Sequence, residues 1–281
     1  MPELPEVETV RRGLERAVLG RRVVAVEVLG ARSVRRQDAP AFRAALVGRR
    51  LVAARRRGKF LLVDLAPGRG PAEALVCHLR MSGQLLLVPP GAPRVAHTHV
   101  VLGLDDASEL RFVDPRTFGE LFVAPLDPAS GLPAELRTLG PDPLADGLPT
   151  ALLRRLLARR RTSLKAFLLD QRAVAGIGNL YADEICFAAR LAPGRRTDSL
   201  SAREAARLAA AIAEVLSAAV AARGSSLRDG RYRDLGGEPG AYQDRHAVYG
   251  RAGAPCPRCA RPVVRARIAG RSAHFCPACQ R

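Results

Sequence analysis

The chain has almost no lysine. Of its 45 basic residues only Lys59 and Lys165 are lysine, which leaves 43 arginines. Arginine keeps its proton near neutrality and lysine can release one, so a surviving lysine marks a role that arginine fills poorly. Acidic residues are scarce too: 27 of them leave a formal charge of +18. A chain this basic is drawn to polyanions, although composition alone fits a solvated arginine-rich surface equally well. No run approaches the roughly 18 uncharged apolar residues of a membrane span, and the most apolar stretch, 206–222, is broken by Glu214. The start, Met1-Pro2-Glu3-Leu4-Pro5-Glu6, is acidic and lacks the basic, then apolar, pattern of a signal peptide. These absences argue for a cytoplasmic protein off the membrane. In that compartment the six cysteines read as metal ligands sooner than as disulfides.

What is present supports a folded, multidomain chain. Apolar residues make up 48% of 281, enough to bury a core in one large or two to three small domains. Val7, Val10, Leu14 and Val18 recur at helical spacing after Pro5, and Gly20 ends that first helix. Eight short alternating or β-branched runs follow: 23–29, 51–57, 60–65, 74–79, 84–88, 99–104, 109–113 and 120–124. They predict a β-sandwich or barrel. A stretch rich in Pro, Gly and Asp, 125–149, reads as a linker. Helical periodicity then takes over at 151–160 and 163–170. After the turn Val174-Ala175-Gly176-Ile177-Gly178, Asn179 stands as N-cap of 180–191. Ser201 and Glu204 form a capping box for a helix running to about Arg223. Residues 224–246 read as a mobile loop.

Cys256-x2-Cys259 and Cys276-x2-Cys279 have the spacing of a four-thiolate structural zinc site, with no open position for water. The runs 262–268 and 271–275 around Gly270 predict a two-stranded hairpin between the pairs. The last 35 residues hold seven arginines and no acid, a phosphate-binding surface. Gly176-x-Gly178-Asn179 opens a helix whose free N–H groups favour an anion. Cys77 and Cys186 sit in apolar runs and read as core packing.

Several segments together resemble the formamidopyrimidine-DNA glycosylase family, enzymes that excise oxidised purines. They are Pro2-Glu3-Leu4-Pro5-Glu6-Val7-Glu8, Arg57-Gly58-Lys59-Phe60, His78-Leu79-Arg80-Met81-Ser82-Gly83, Asp114-Pro115-Arg116-Thr117-Phe118-Gly119, Leu168-Leu169-Asp170-Gln171, Gly176-Ile177-Gly178-Asn179-Leu180-Tyr181-Ala182-Asp183-Glu184 and the cysteine hairpin. They run in the family's order along the whole chain. The resemblance implies an α+β multidomain fold: an N-terminal catalytic β-sandwich with flanking helices at 1–130 and a linker at 131–149. A helix–two-turns–helix domain would span 150–246, with a lesion loop at 224–246, and a zinc finger 247–281. It implies one structural zinc and damaged double-stranded DNA as partner. A monomer working in the cytoplasm, on the nucleoid, is expected.

It further implies a DNA glycosylase that is also an AP lyase. With Met1 removed, the secondary amine of Pro2 would attack the sugar C1′ and form a Schiff base, a terminal amine (pKa near ~8) being far less protonated at pH 7 than a lysine. Glu3 would be the general acid/base, Lys59 a proton-transfer and phosphate group, Arg271 a phosphate clamp linked to δ-elimination, and Glu6 a supporting carboxylate. Met81, Arg116 and Phe118 would fill the space left by the flipped base, and His97, Arg160, Lys165 and Asn179 would contact phosphates. Thr117, Ser225-Ser226 and Ala273 depart from the family's usual residues, which puts contacts around the lesion in doubt. Two other readings stand: an endonuclease VIII-like enzyme for oxidised pyrimidines, and a non-catalytic zinc-ribbon DNA-binding protein.

Overall fold

The computed structural model describes residues 2–68, 70–227 and 230–281. Met1, whose removal the Schiff-base reading needs, and Arg228 and Asp229 of the expected loop lie outside the described residues, as does Arg69. The chain forms two compact units, Met1–Arg137 with Arg223–Ala241, and Thr138–Ala222 with Tyr242–Arg281. Among the described residues no helix is long and apolar enough to cross a membrane.

In the first unit α1 (Leu4–Ala17) is followed by β1 (Val23–Val28), α2 (Ala39–Leu46), β2 (Leu51–Arg57), β3 (Phe60–Leu65) and β4 (Glu73–His78). Then come β5 (Gln84–Val88), β6 (Thr98–Leu104), β7 (Glu109–Val113) and β8 (Glu120–Pro125). The strands make two antiparallel four-stranded sheets, β1-β6-β7-β5 and β2-β3-β4-β8. One apolar cluster joins their inner faces: Val26, Leu85, Leu102 and Phe112 from one sheet, Ala54, Leu61, Val63 and Leu75 from the other. That is a β-sandwich. The two-residue alternation that reveals these strands is the alternation that fills the core. Val7, Val10 and Leu14 lay the apolar stripe of α1 on the same cluster, fully buried.

Two departures have clear causes. Helix α2 was not expected. Asp38 caps it by accepting from the Ala41 N–H at 2.8 Å, Pro40 sits in its first turn, and Phe42 and Leu46 bury fully. The loop read as mobile holds core anchors within its polar composition: Tyr232 and Leu235 belong to the sandwich core, and the Leu235 carbonyl accepts from the Leu87 N–H at 2.8 Å.

In the second unit come α3 (Thr150–Ala158), α4 (Leu164–Leu169), α5 (Asn179–Ala188) and α6 (Ala202–Ala221), then the hairpin β9 (Val264–Ile268) and β10 (Arg271–Phe275). Ser163 caps α4, and the expected Ser201–Glu204 capping box starts α6. Asn179 is not the N-cap of α5. Gly178 takes that place in extended conformation, and Asn179 is the first helical residue.

Candidate functional site

The N-terminus is tied down by one carboxylate. Helix α1 begins at Leu4 behind the N-cap Glu3, and each oxygen of Glu6 accepts a backbone N–H, from Glu3 at 2.8 Å and from Ser225 at 2.7 Å. The Tyr232 hydroxyl lies 3.4 Å from the Glu6 carbonyl. Pro2, Glu3 and Glu6 are all buried. Gly224 has φ +76°, and a Cβ there would stand 2.7 Å from Glu6 Oε1. Only glycine lets the 224–225 segment approach so closely. The supporting residue Glu6 therefore fixes Glu3, and with it the neighbouring Pro2, against this segment. Ser226, in place of a more usual threonine, still bridges locally: its hydroxyl donates to the Tyr232 carbonyl and accepts from the Gly240 N–H.

Lys59 sits half-buried in the two-residue turn Gly58–Lys59 between β2 and β3, with Gly58 at φ +58°. Arg56, its side chain 3% exposed, pairs with Glu8 of α1 at 3.0 Å and donates to the Gly58 carbonyl at 3.0 Å. Helix α1, which follows Pro2 and Glu3, and the turn that carries Lys59 are thus tied together by one guanidinium. Nothing in the sequence separates Arg56 from 42 other arginines. The charge of Lys59 is felt at His78, whose pKa burial, then Arg80 and Lys59, push down to about 3.

A second buried carboxylate assembles the proposed void fillers. Asp114 is fully buried and accepts from the Ser82 hydroxyl at 2.5 Å, the Arg116 N–H at 3.1 Å and the Gly119 N–H at 2.7 Å. Its own N–H donates to the His97 carbonyl. Met81, next to Ser82, thereby shares one hub with Arg116, Phe118 and His97. Met81 is 38% and Phe118 46% exposed, and the Arg116 guanidinium lies 4.9 Å from the Phe118 ring centre. Core packing does not hold these two apolar side chains; they face solvent. His97 is exposed as well.

In the second unit Gln171 locks the turn before α5. Its amide donates to the Leu169 and Ile177 carbonyls, and its carbonyl accepts from the Gly176 N–H. Asn179, the only asparagine in the chain, follows, and its buried Oδ1 has no hydrogen-bond partner among the described residues. Arg160 is one-third exposed and ion-paired with Asp170.

Lys165 departs from the expected phosphate contact. Its ammonium is fully buried, paired with the equally buried Asp183, and donates to the Ser272 carbonyl at 2.8 Å. Asp183 also accepts from the His274 N–H at 2.9 Å. An ammonium with no exposed surface and two partners is a strut. It joins α4 and α5 to β10, whose first residue, Arg271, is exposed at the hairpin tip. Here the scarcity of lysine has a physical reading: a compact ammonium fits where the larger guanidinium does not. Glu184 anchors the approach to the hairpin, accepting N–H bonds from Ala247, Val248 and Tyr249, while burial pushes its pKa up.

The four cysteines fit zinc. Their sulfurs lie within 4.8 Å of one another, with Cys256 and Cys279 3.9 Å and Cys259 and Cys276 3.5 Å apart. A tetrahedral zinc with Zn–S of about 2.3 Å sets sulfurs about 3.8 Å apart. A four-thiolate shell makes the zinc structural, closing the Cys256–Cys279 module around β9–β10. Cys77 and Cys186 are core thiols whose pKa burial pushes far up.

Comparison with known proteins agrees along the chain. The sequence model of the formamidopyrimidine-DNA glycosylase N-terminal domain matches residues 1–121, that of the formamidopyrimidine-DNA glycosylase H2TH domain residues 139–230, and that of a zinc finger found in FPG and IleRS residues 253–281. The formamidopyrimidine-DNA glycosylase of a Parafrankia species is 48% identical over all of this chain and 98% of its own length. The crystal structure of the MutM (Fpg) protein of Thermus thermophilus superposes with a TM-score of 0.86 at 46% identity, covering 99% of this chain and 98% of that one. A complex of Lactococcus lactis Fpg with DNA containing an abasic site gives a TM-score of 0.90 at 34% identity, covering 99% of each chain. This chain belongs to the formamidopyrimidine-DNA glycosylase family.

Proposed function

We propose that the chain removes oxidised purines, 8-oxoguanine and formamidopyrimidines, from duplex DNA through a covalent intermediate on Pro2. Family membership makes it a DNA glycosylase of oxidised-purine repair and an AP lyase. It sets aside the pyrimidine-directed and non-catalytic readings. Once Met1 is removed, the Pro2 nitrogen is a secondary amine with a terminal pKa near ~8. It attacks C1′ of the damaged nucleotide; the C1′–N bond breaks and the base leaves with a proton. The C1′–O4′ bond then opens, O4′ taking a proton, to leave an iminium at C1′ that acidifies the C2′ hydrogen; β-elimination breaks the 3′ C–O bond, and δ-elimination breaks the 5′ one.

Glu3 carries protons between the sugar ring and the leaving base. Glu6 positions Glu3 and Pro2 through its two backbone N–H bonds. Lys59 neutralises a phosphate oxygen and takes part in proton transfer. Arg271, which holds its proton tightly, clamps phosphates beside the flipped nucleotide sooner than it donates one. Met81 and Phe118 enter the emptied base stack while Arg116 donates to the orphaned cytosine. His97, Arg160 and Asn179 bind backbone phosphates; Arg160 exchanges its part-exposed pair with Asp170, worth about 0–1 kcal/mol, for a phosphate. Lys165 acts one step removed, through β10. When bound, zinc supplies a crosslink and no reaction step. The working domains are taken as 1–130, 131–149, 150–246 and 247–281, and the enzyme as a monomer acting on chromosomal DNA in the cytoplasm, off the membrane.

The N-terminal geometry carries this reading: a buried Pro2–Glu3 fixed by Glu6 is what an amine nucleophile with an adjacent acid requires. The test is excision of 8-oxoguanine from a duplex by the chain starting at Pro2, against one extended by a residue. Activity confined to the first supports the assignment; equal excision by both refutes it.

A further inference from the structure

The second unit has a cavity that the proposed reaction does not use. It measures about 660 Å³ and is lined by Arg190, Glu204, Arg207, Arg258, Ala278, Cys279 and Arg281. Four guanidiniums converge there, and among the described residues none of the four pairs with a carboxylate. The single acidic side chain on the wall is already engaged. Glu204 is held by Arg195 at 2.5 and 3.0 Å and by the Ser201 N–H and hydroxyl, which keeps its pKa down at about 2. A zinc ion on four thiolates adds two negative charges beside Cys279, which offsets only part of the four positive ones.

The wall is pinned. The Arg258 guanidinium stacks 4.1 Å over the Phe187 ring and donates to the Phe187 carbonyl at 2.5 Å, while Arg207 donates to the Ala189 carbonyl at 3.2 Å. The Arg281 N–H donates to the Arg190 carbonyl. These bonds use carbonyls at and just beyond the C-terminal end of α5 and, among the described residues, leave further N–H groups of the Arg207 and Arg258 forks to reach a ligand.

The cavity stands apart from two of the residues proposed to grip lesion DNA in this unit, Asn179 and Arg271. Asn179 opens α5 and Arg190 follows its other end, about 15 Å away at 1.5 Å per residue. Arg271 opens β10 and Cys276 follows its far end, about 16 Å away at 3.3 Å per residue.

We propose that this cavity binds an acidic peptide segment of a partner protein, its carboxylates received by the forks of Arg190, Arg207 and Arg281. Guanidinium and carboxylate match bidentately. Among the described residues the lining contains no aromatic ring on which the bases of single-stranded DNA would stack. Ala278 adds a small apolar surface beside the charged forks. This inference does not depend on the chemistry proposed for Pro2.

The test uses the full, zinc-loaded chain and a fluorescent octa-aspartate peptide, read by anisotropy with and without saturating duplex carrying an abasic-site analogue. The peptide is expected to bind in both conditions. The pair Arg190→Glu and Arg207→Glu should weaken it at least tenfold, with zinc content, duplex affinity and excision unchanged within twofold. The pair Arg32→Glu and Arg35→Glu changes net charge equally at exposed positions of the first unit and should leave peptide binding intact. Equal loss in both pairs, or displacement of the peptide by the duplex, overturns the proposal. So does a short oligothymidylate that binds more tightly than the peptide and is lost with Arg190 and Arg207. Should the Glu pair misfold, as zinc loss would reveal, Arg190→Ser with Arg207→Ser carries the same expectation at smaller magnitude.

Discussion

Replacing Lys165 by methionine separates a strut from a phosphate contact. The substitution keeps the aliphatic stem and removes the ammonium, so Asp183, fully buried, loses its cation. Breaking a buried ion pair on one side costs about 3–5 kcal/mol, because the remaining charge stays uncompensated. The His274 N–H still reaches Asp183, but the Ser272 carbonyl loses its donor, so loss concentrates at β10. Adding Asp183→Leu removes the stranded charge and should recover part of the loss. The remaining cost, about 1–3 kcal/mol, reflects the unpaired β10 backbone groups. Denaturant unfolding gives the total, and amide hydrogen exchange at Ser272 and His274 shows where it falls. The reasoning fails if Lys165→Met costs under about 1 kcal/mol and instead lowers duplex affinity with a salt slope reduced by about one, the behaviour of a phosphate contact.

Three further outcomes follow from particular residues. Chelating the zinc should abolish lesion-duplex binding while circular dichroism still reports the sandwich strands, because the clip closes only the Cys256–Cys279 module; a metal-free chain that binds DNA undiminished contradicts this. Arg116→Ala should cost about 1–3 kcal/mol in affinity for 8-oxoguanine opposite cytosine and less opposite adenine; equal losses on both pairs would make Arg116 a backbone contact. Acid should destabilise the fold through His78 and His246, held by burial at about 3 and about 4 against an ordinary 6.5. Below 6.5 the unfolded chain takes up protons that the fold refuses, so this stability is complete above 6.5 and lost as pH falls toward 4 and 3. Unfolding free energies of His246→Gln from pH 7 to 4 should fall less steeply than those of the parent; parallel curves rule the histidine out.

The strands were legible because half of each faces the core. In β3 and β4, Leu61, Val63, Leu75 and Cys77 alternate inward, and that period is visible in one dimension. The cysteine spacing and the Ser201–Glu204 box were legible for the same reason: their partners are near in sequence. What escaped is held together across long separations. Arg56 finds Glu8 48 residues away, and Lys165 reaches Ser272 across 107. Neither spacing nor charge marks such pairs. The 224–246 stretch misled because Tyr232 and Leu235, two anchors among glycines and arginines, suffice to pin it. Asn179 misled in a smaller way: the extended Gly178 takes the cap, leaving the asparagine amide at the head of α5.

The central claim is that the Pro2 nitrogen forms the covalent bond to DNA. Borohydride reduction during reaction with a duplex bearing an abasic site, followed by proteolysis and mass spectrometry, locates that bond. The account predicts one modified peptide, the N-terminal one, with the sugar remnant on Pro2. A remnant on Lys59 or Lys165, or undiminished trapping by a chain with a blocked N-terminus, would contradict it.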